Sequence, residues 1–199
     1  MDRESTQQKG DAGEYAAAAE LANRGWMVDM PRRGARNIDL YAHRREGNRT
    51  CGVQVKARTR GDFQFANNFL ELAEPTADAW VILVTLSPPG GRSQFFVLPH
   101  NHVAGALIAY KGYRDANGKG WPRKMLGPHE FTGYTEAWAL MEHPAQKVPW
   151  QMLDWVAEAL AEHKGYDVFD AIPTLRRRRS WRVGLGSVST VGRHGRTRC

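Results

Sequence analysis

NIDLYAHRREGNRTCGVQVKART, residues 37 to 59, holds two β-rich segments, NIDLYAHRR and RTCGVQVKART, on either side of Glu46-Gly47. A two-residue turn there, closed by Arg45 opposite Asn48, makes the stretch a hairpin. Counting outward from that turn sets Asp39 directly across from Gln54. Side chains alternate along a strand and cross-strand partners share a face, so Asp39, Gln54 and Lys56 gather on one side of the sheet. Ile38, Leu40, Val53 and Val55 fall on the other. The expectation is an apolar face that holds the hairpin to a helix, and an opposite, solvated face bearing a carboxylate, an amide and an ammonium.

The segments around the hairpin supply the rest of an α/β domain. DAGEYAAAAELANRG reads as a helix, with Asp11 as cap, Glu14 three residues later as in a capping box, and Gly25 to close it. Its apolar face is mostly alanine, which permits close approach to a sheet. WMVDM reads as a strand and PRRGAR as the turn into the hairpin. DFQFANNFLELAEPTADA is ambiguous between loop and short helix. WVILVTL has the continuous apolar character of a buried strand, SQFFVLP of its hairpin partner, and HNHVAGALIAY of a helix. A glycine-rich loop and a short helix, TEAWALMEH, follow. The fold class is therefore α/β, a mixed sheet flanked by helices, in a domain of residues 1 to 145. Residues 146 to 172 form an accessory segment whose Trp150, Leu153, Val156 and Leu160 recur at helical spacing.

Bulk composition narrows the functional classes. The chain has 199 residues, 42% hydrophobic and 25% charged, with no apolar run long enough to cross a bilayer. The polar N-terminus, MDRESTQQKGDAGE, has no apolar leader segment, so the expectation is a soluble protein of the cytoplasm with no membrane partner. Two cysteines, Cys51 and Cys199, offer neither a disulfide framework nor a cysteine zinc site. The net charge of +7 is local: residues 173 to 199 carry eight arginines and no acid, leaving 20 basic residues against 21 acidic ones in the remainder. That tail, rich in Gly, Ser, Thr and Arg, reads as disordered. It is suited to sequence-independent phosphate contacts, or to nothing more than a solvated terminus.

The polar constellation has two readings. In the chemical one, Asp39 is the central ligand of a Mg2+ or Mn2+ ion, Gln54 adds its carbonyl oxygen, and Glu14 joins from the first helix. Lys56 orients the attacking water and stabilises the pentavalent phosphorus. A divalent cation held by hard oxygen ligands supplies the charge neutralisation that phosphodiester hydrolysis needs. In the plain reading, Asp, Gln and Lys decorate a wet sheet face and Glu14 completes the cap of Asp11.

The order helix with Glu14, strand, strand with Asp39, strand with Gln54-Val55-Lys56, helix and strand resembles the restriction-endonuclease-like PD-(D/E)XK nucleases. It looks most like their small bacterial branch, and is similar in layout to Holliday-junction resolvases. The resemblance spans roughly residues 9 to 110. It implies a restriction-endonuclease-like core, Mg2+ or Mn2+ as cofactor and DNA cleavage as activity. It also implies Asp39 as metal ligand, Gln54 in place of the second acid, Lys56 as catalytic lysine and Glu14 as auxiliary acid. Two departures stand out: Ile38 replaces the proline of the motif, and Gln54 removes one negative charge from the metal site. The alternative is a nuclease-fold module that binds nucleic acid or a protein without cutting. Arg32, Arg33, Arg36, Arg58 and Arg60 are the candidate phosphate contacts. The expected partner is nucleic acid, DNA first, with a homodimer left open. His100-Asn101-His102 spells a metal-nuclease name, but it follows a strand and Pro99 directly, without the dispersed ββα setting such a site requires.

Overall fold

The computed structural model describes residues 5–31, 38–44, 48–70, 73–74, 76–116 and 125–148. The chain from 149 onward, with the expected accessory helix and arginine tail, lies outside the described residues, as do Arg32, Arg33, Arg36 and the turn residues 45–47. The elements in chain order are α1 (Thr6–Asn23), β1 (Met27–Asp29), β2 (Leu40–Arg44), β3 (Arg49–Arg58), β4 (Phe63–Gln64), β5 (Ala79–Thr85), β6 (Gln94–Pro99), α2 (His100–Ala116) and β7 (Met125–Leu126). Short 3-10 turns stand at Asn67–Leu70, Pro128–Tyr134, Trp138–Glu142 and Ala145–Lys147. The class is mixed α/β, as expected.

A five-stranded sheet in the order β1-β2-β3-β5-β6 organises the fold, and β4 pairs with β7 in a separate two-stranded sheet. Only the central pair, β3 with β5, is parallel; the others are antiparallel. Leu40 pairs with Val53 and Arg44 with Arg49, which is the register expected from the turn count. β5 is apolar from Ala79 to Val84, as suits a strand with both faces covered.

The first helix starts earlier than expected. Ser5, not Asp11, is the cap: its hydroxyl accepts from Gln8 N–H at 3.1 Å, and Gln8 Oε1 accepts from Ser5 N–H at 2.7 Å. A complete capping box upstream takes precedence, so Asp11 and Glu14 both lie inside the helix, and Glu14 has no capping role. Gly25, at φ +82°, makes the left-handed turn out of it.

Both faces of the sheet are buried, which corrects the expectation of a solvated side. On one face α1 packs Ala17 and Leu21 against Leu40, Val53, Val55, Trp80 and Ile82, and Trp138, Met141, Ala145 and Val148 complete that layer. On the other face an aromatic cluster built on Phe63, Phe65, Phe69, Phe96, Phe131 and Tyr134 packs with α2 over Val81, Leu83 and Leu98. A half-buried ion pair ties the late segments to the hairpin. Arg49 Nε donates to Asp78 Oδ2 at 2.5 Å and Arg49 Nη2 to the carbonyl of His143 at 2.8 Å. Asp78 Oδ1 also accepts from Trp80 Nε1 and from the N–H of Ala145.

Candidate functional site at the edge of the central strand

Strand β2 leaves β3 at Asp39, and the way it leaves builds the site. The N–H of Asp39 donates to the carbonyl of Val53 at 2.9 Å, although Val53 is already the partner of Leu40. One residue is therefore gained against the ladder, in the manner of a β-bulge. A slip of one residue exchanges the faces. Ile38, expected with Leu40 and Val55, lies instead against Gly52, where an added Cβ would stand 3.1 Å from Ile38 Cδ1. Asp39 does not sit squarely across from Gln54. Its Oδ2 accepts the N–H of Val55 at 2.7 Å, a donor that points within the plane of the sheet toward the space β2 has vacated. The carboxylate thus stands at the edge of β3, between the two covered faces.

Gln54 and Lys56 project from the aromatic side. Gln54 is 7% exposed, and its Oε1 is buried without a hydrogen-bond partner. Leaving a buried carbonyl unsatisfied costs about 1–3 kcal/mol. Such atoms are rare unless water, an ion or a ligand meets them. Lys56 is half-buried, its Nζ 5.8 Å from the centre of the Phe69 ring. Phe69 also stacks on His100, with centroids 5.2 Å apart and planes 18° from parallel. Burial pushes the His100 imidazole below its ordinary 6.5, a hydrogen bond with Asn101 opposes this in part, and Nδ1 has no partner.

Glu14 enters from the opposite layer. Its neighbour Gly13 lies so near β3 that an added Cβ would be 2.3 Å from Ala57 Cβ and 3.7 Å from Val55 Cγ1. Glycine therefore lets α1 seat directly on the stretch of β3 that holds Lys56, and half-buried Glu14 rides on that turn. The structure thus joins Asp39 to the 54–56 strand by a hydrogen bond, sets Gln54 and Lys56 on one face, and brings the Glu14 turn of α1 onto the same strand from the other. Among the described residues no group of three or more His, Cys, Asp or Glu side chains is arranged to hold a metal ion. With Gln54 in place of an acid, the hard oxygen donors at this strand edge are the Asp39 carboxylate and the unpartnered Gln54 carbonyl, with Glu14 on the turn of α1 that covers the opposite face.

The remaining candidates separate. Arg58 lies over the Phe63 ring, while Arg60 is exposed just beyond the end of β3. His100, Asn101 and His102 take three different roles, since successive helical residues point in different directions. Asn101 bonds to both backbone groups of Ala73. His102 is buried with its Nδ1 2.6 Å from Tyr134 Oη. Cys51 is buried and its thiol is pushed up to about 12, by burial first and Asp78 second, so it stays protonated and inert. Sequence reasoning missed Phe63 and Phe69, the rings beneath the two cations. For Phe63 the signal is the F-x-F alternation with Phe65 inside the segment that read as ambiguous; Phe69 stands outside that alternation.

No protein-family model matches the chain, and no curated protein does. Among solved structures, the fold is similar to that of a bacterial homing endonuclease. The identity is 20%, the alignment covers 70% of this chain and 92% of that one, and the TM-score is 0.43. No helix among the described residues is long and apolar enough to cross a membrane.

Proposed function

We propose that the protein is a divalent-metal-dependent DNA endonuclease of the PD-(D/E)XK type with a variant D...QxK motif. The observation that carries this reading is the buried, unpartnered Oε1 of Gln54 one residue from the N–H that holds the Asp39 carboxylate. Asp39, Gln54 and Glu14 would hold Mg2+ or Mn2+. When bound, the ion supplies charge stabilisation at the phosphate and acidifies a water. The Val55 N–H fixes the rotation of the Asp39 carboxylate, so one oxygen stays committed to the backbone and the other is left for a ligand. Lys56 stands beside this edge to orient the nucleophile and to neutralise the phosphate oxygens. Gln54 lies between two covered faces, where a low effective dielectric strengthens these interactions. Residues 173 to 199, with eight arginines and no acid, add affinity for any phosphate backbone. The neutral Gln54 favours one second reading, a binding module that has lost cleavage.

Thermal melts of wild type, Gln54→Glu and Asp39→Asn, each with and without millimolar Mg2+ or Mn2+, decide between them. A working site raises Tm with metal, more in Gln54→Glu because a carboxylate replaces a neutral ligand, and not at all in Asp39→Asn. Cleavage of plasmid DNA in Mn2+ should then vanish in Asp39→Asn. No metal response in wild type or Gln54→Glu, with DNA present or absent, leaves the binding module.

A further inference from the structure

Arg58 ends β3 on the face that carries Gln54 and Lys56, and its surroundings do not satisfy it. The guanidinium carbon is 4.3 Å from the centre of the Phe63 ring. Nη2 reaches Thr85 Oγ1 only at 3.5 Å. Nε and Nη1 are closed off from solvent with no hydrogen-bond partner. Burial lowers its pKa, against an upward pull from Asp62, so the charge is held in a place that disfavours it. The ring face offsets part of that cost, but an aromatic ring accepts no conventional hydrogen bond from the two idle donors.

We infer that Arg58 leaves Phe63 to bind a DNA phosphate, the one next to the phosphodiester held at Lys56, so that the DNA strand runs past the edge of β3 that β2 leaves unpaired beyond Val53. This rests on the nuclease reading for the phosphate at Lys56. Residues two apart on one strand face are separated by roughly 6.6 Å, a span comparable with the step between successive phosphates on one nucleic-acid strand. A phosphate offers the oxygen acceptors that the guanidinium lacks, in the forked geometry it favours. The way out is open: Arg58 itself is half-buried, and Thr59, Arg60, Gly61 and Asp62 after it are all exposed. Arg60 then continues the line of cations beyond the strand end. Phe63 serves as the resting place of a side chain whose working position is outside.

The test uses the full chain, wild type and Arg58→Met, with a short DNA duplex carrying single methylphosphonate linkages, in Ca2+. Arg58→Met should lower the slope of log affinity against log salt by about 0.9, the contribution of one duplex phosphate. It should also leave the free protein's Tm unchanged or higher, because the idle donors are gone. Wild type should weaken at one methylphosphonate position beside the Lys56-dependent one, and Arg58→Met should be blind to it; Arg58→Lys should recover the slope. An unchanged slope together with a lower Tm makes Arg58 a cover for Phe63 and overturns the inference while the nuclease reading stands. No binding of any duplex by wild type at low salt removes the nuclease reading and this inference together.

Discussion

The two faces of the sheet are equally buried and differently made. The α1 face is built of alanine, leucine, valine and tryptophan. On the aromatic face Gln54 and Arg58 keep unpartnered polar atoms and Lys56 rests on a ring. A face made only for stability has no reason to retain such atoms, since apolar groups of the same shape would cost nothing to bury. That contrast marks where the chain has given up stability. Along β3 it does so in one row, at residues 54 and 58 with Lys56 between them; beyond β3, Arg44 Nε, His100 Nδ1 and Gln146 Oε1 are likewise buried without partners.

Emptying either face gives the largest effect, and should have different consequences. Leu21→Ala and Phe69→Ala should each cost several kcal/mol, about 2–5 for the leucine and 3–5 for the ring, read in urea melts. Only Phe69→Ala, which removes the ring under Lys56, should also alter the metal response proposed for the site. An equal metal response in both variants would mean that the aromatic face does not support the site.

Next in size is the seating of α1. Gly13→Ala places a Cβ 2.3 Å from Ala57 Cβ. Overpacking of about 1–3 kcal/mol should outweigh the gain in helix propensity of about 1 kcal/mol. Adding Ala57→Gly should return most of the loss. Gly10, three residues earlier in the helix, has nothing within 4 Å of an added Cβ, so Gly10→Ala should stabilise by up to about 1 kcal/mol. If the two alanine variants melt alike, α1 is not held on β3 at that point.

The smallest effect is a slope. His100 is held below its ordinary 6.5 by burial, so below that pH the unfolded chain takes up a proton that the folded protein refuses. Its neutral form is favoured at no penalty above 6.5, and stability falls as pH drops through that value. His100→Leu should flatten the pH dependence of unfolding from 6.5 downward while changing little at neutral pH. Parallel profiles for the variant and wild type would place the acid sensitivity elsewhere.

The hairpin register, the buried character of β5 and the pairing with β6 were all legible, because turn counting and apolar runs depend on local sequence alone. The start of α1 was not, since two candidate capping boxes compete and the one at Ser5 and Gln8 has the better claim. The burial of Gln54 was invisible because its face is covered by an aromatic cluster that draws Phe63, Phe65 and Phe69 from a segment with no clear period. The extra residue at Asp39 leaves no mark in an alternation pattern, yet it decides where the carboxylate stands. Asp39, Gln54 and Lys56 could be picked out by residue type and spacing. The unpartnered atoms of Gln54 and Arg58 could not, since a missing hydrogen bond is a property of the whole packing.

Asp78 has a further consequence, for the order in which the protein can mature. Its carboxylate is shared by Arg49, Trp80 and Ala145, and Arg49 also reaches the carbonyl of His143, 94 residues downstream. A ribosome delivers residues 49 and 80 long before 143 and 145. Until those arrive, Trp138, Met141, Ala145 and Val148 are missing from the α1 face, and the nascent sheet waits with that side incomplete. Closing so long a loop late makes folding slow relative to the local helices and hairpins. Among the described residues the stretch from 138 to 148 thus closes the α1 layer last, and a chain stopped just short of it would emerge with that apolar layer open.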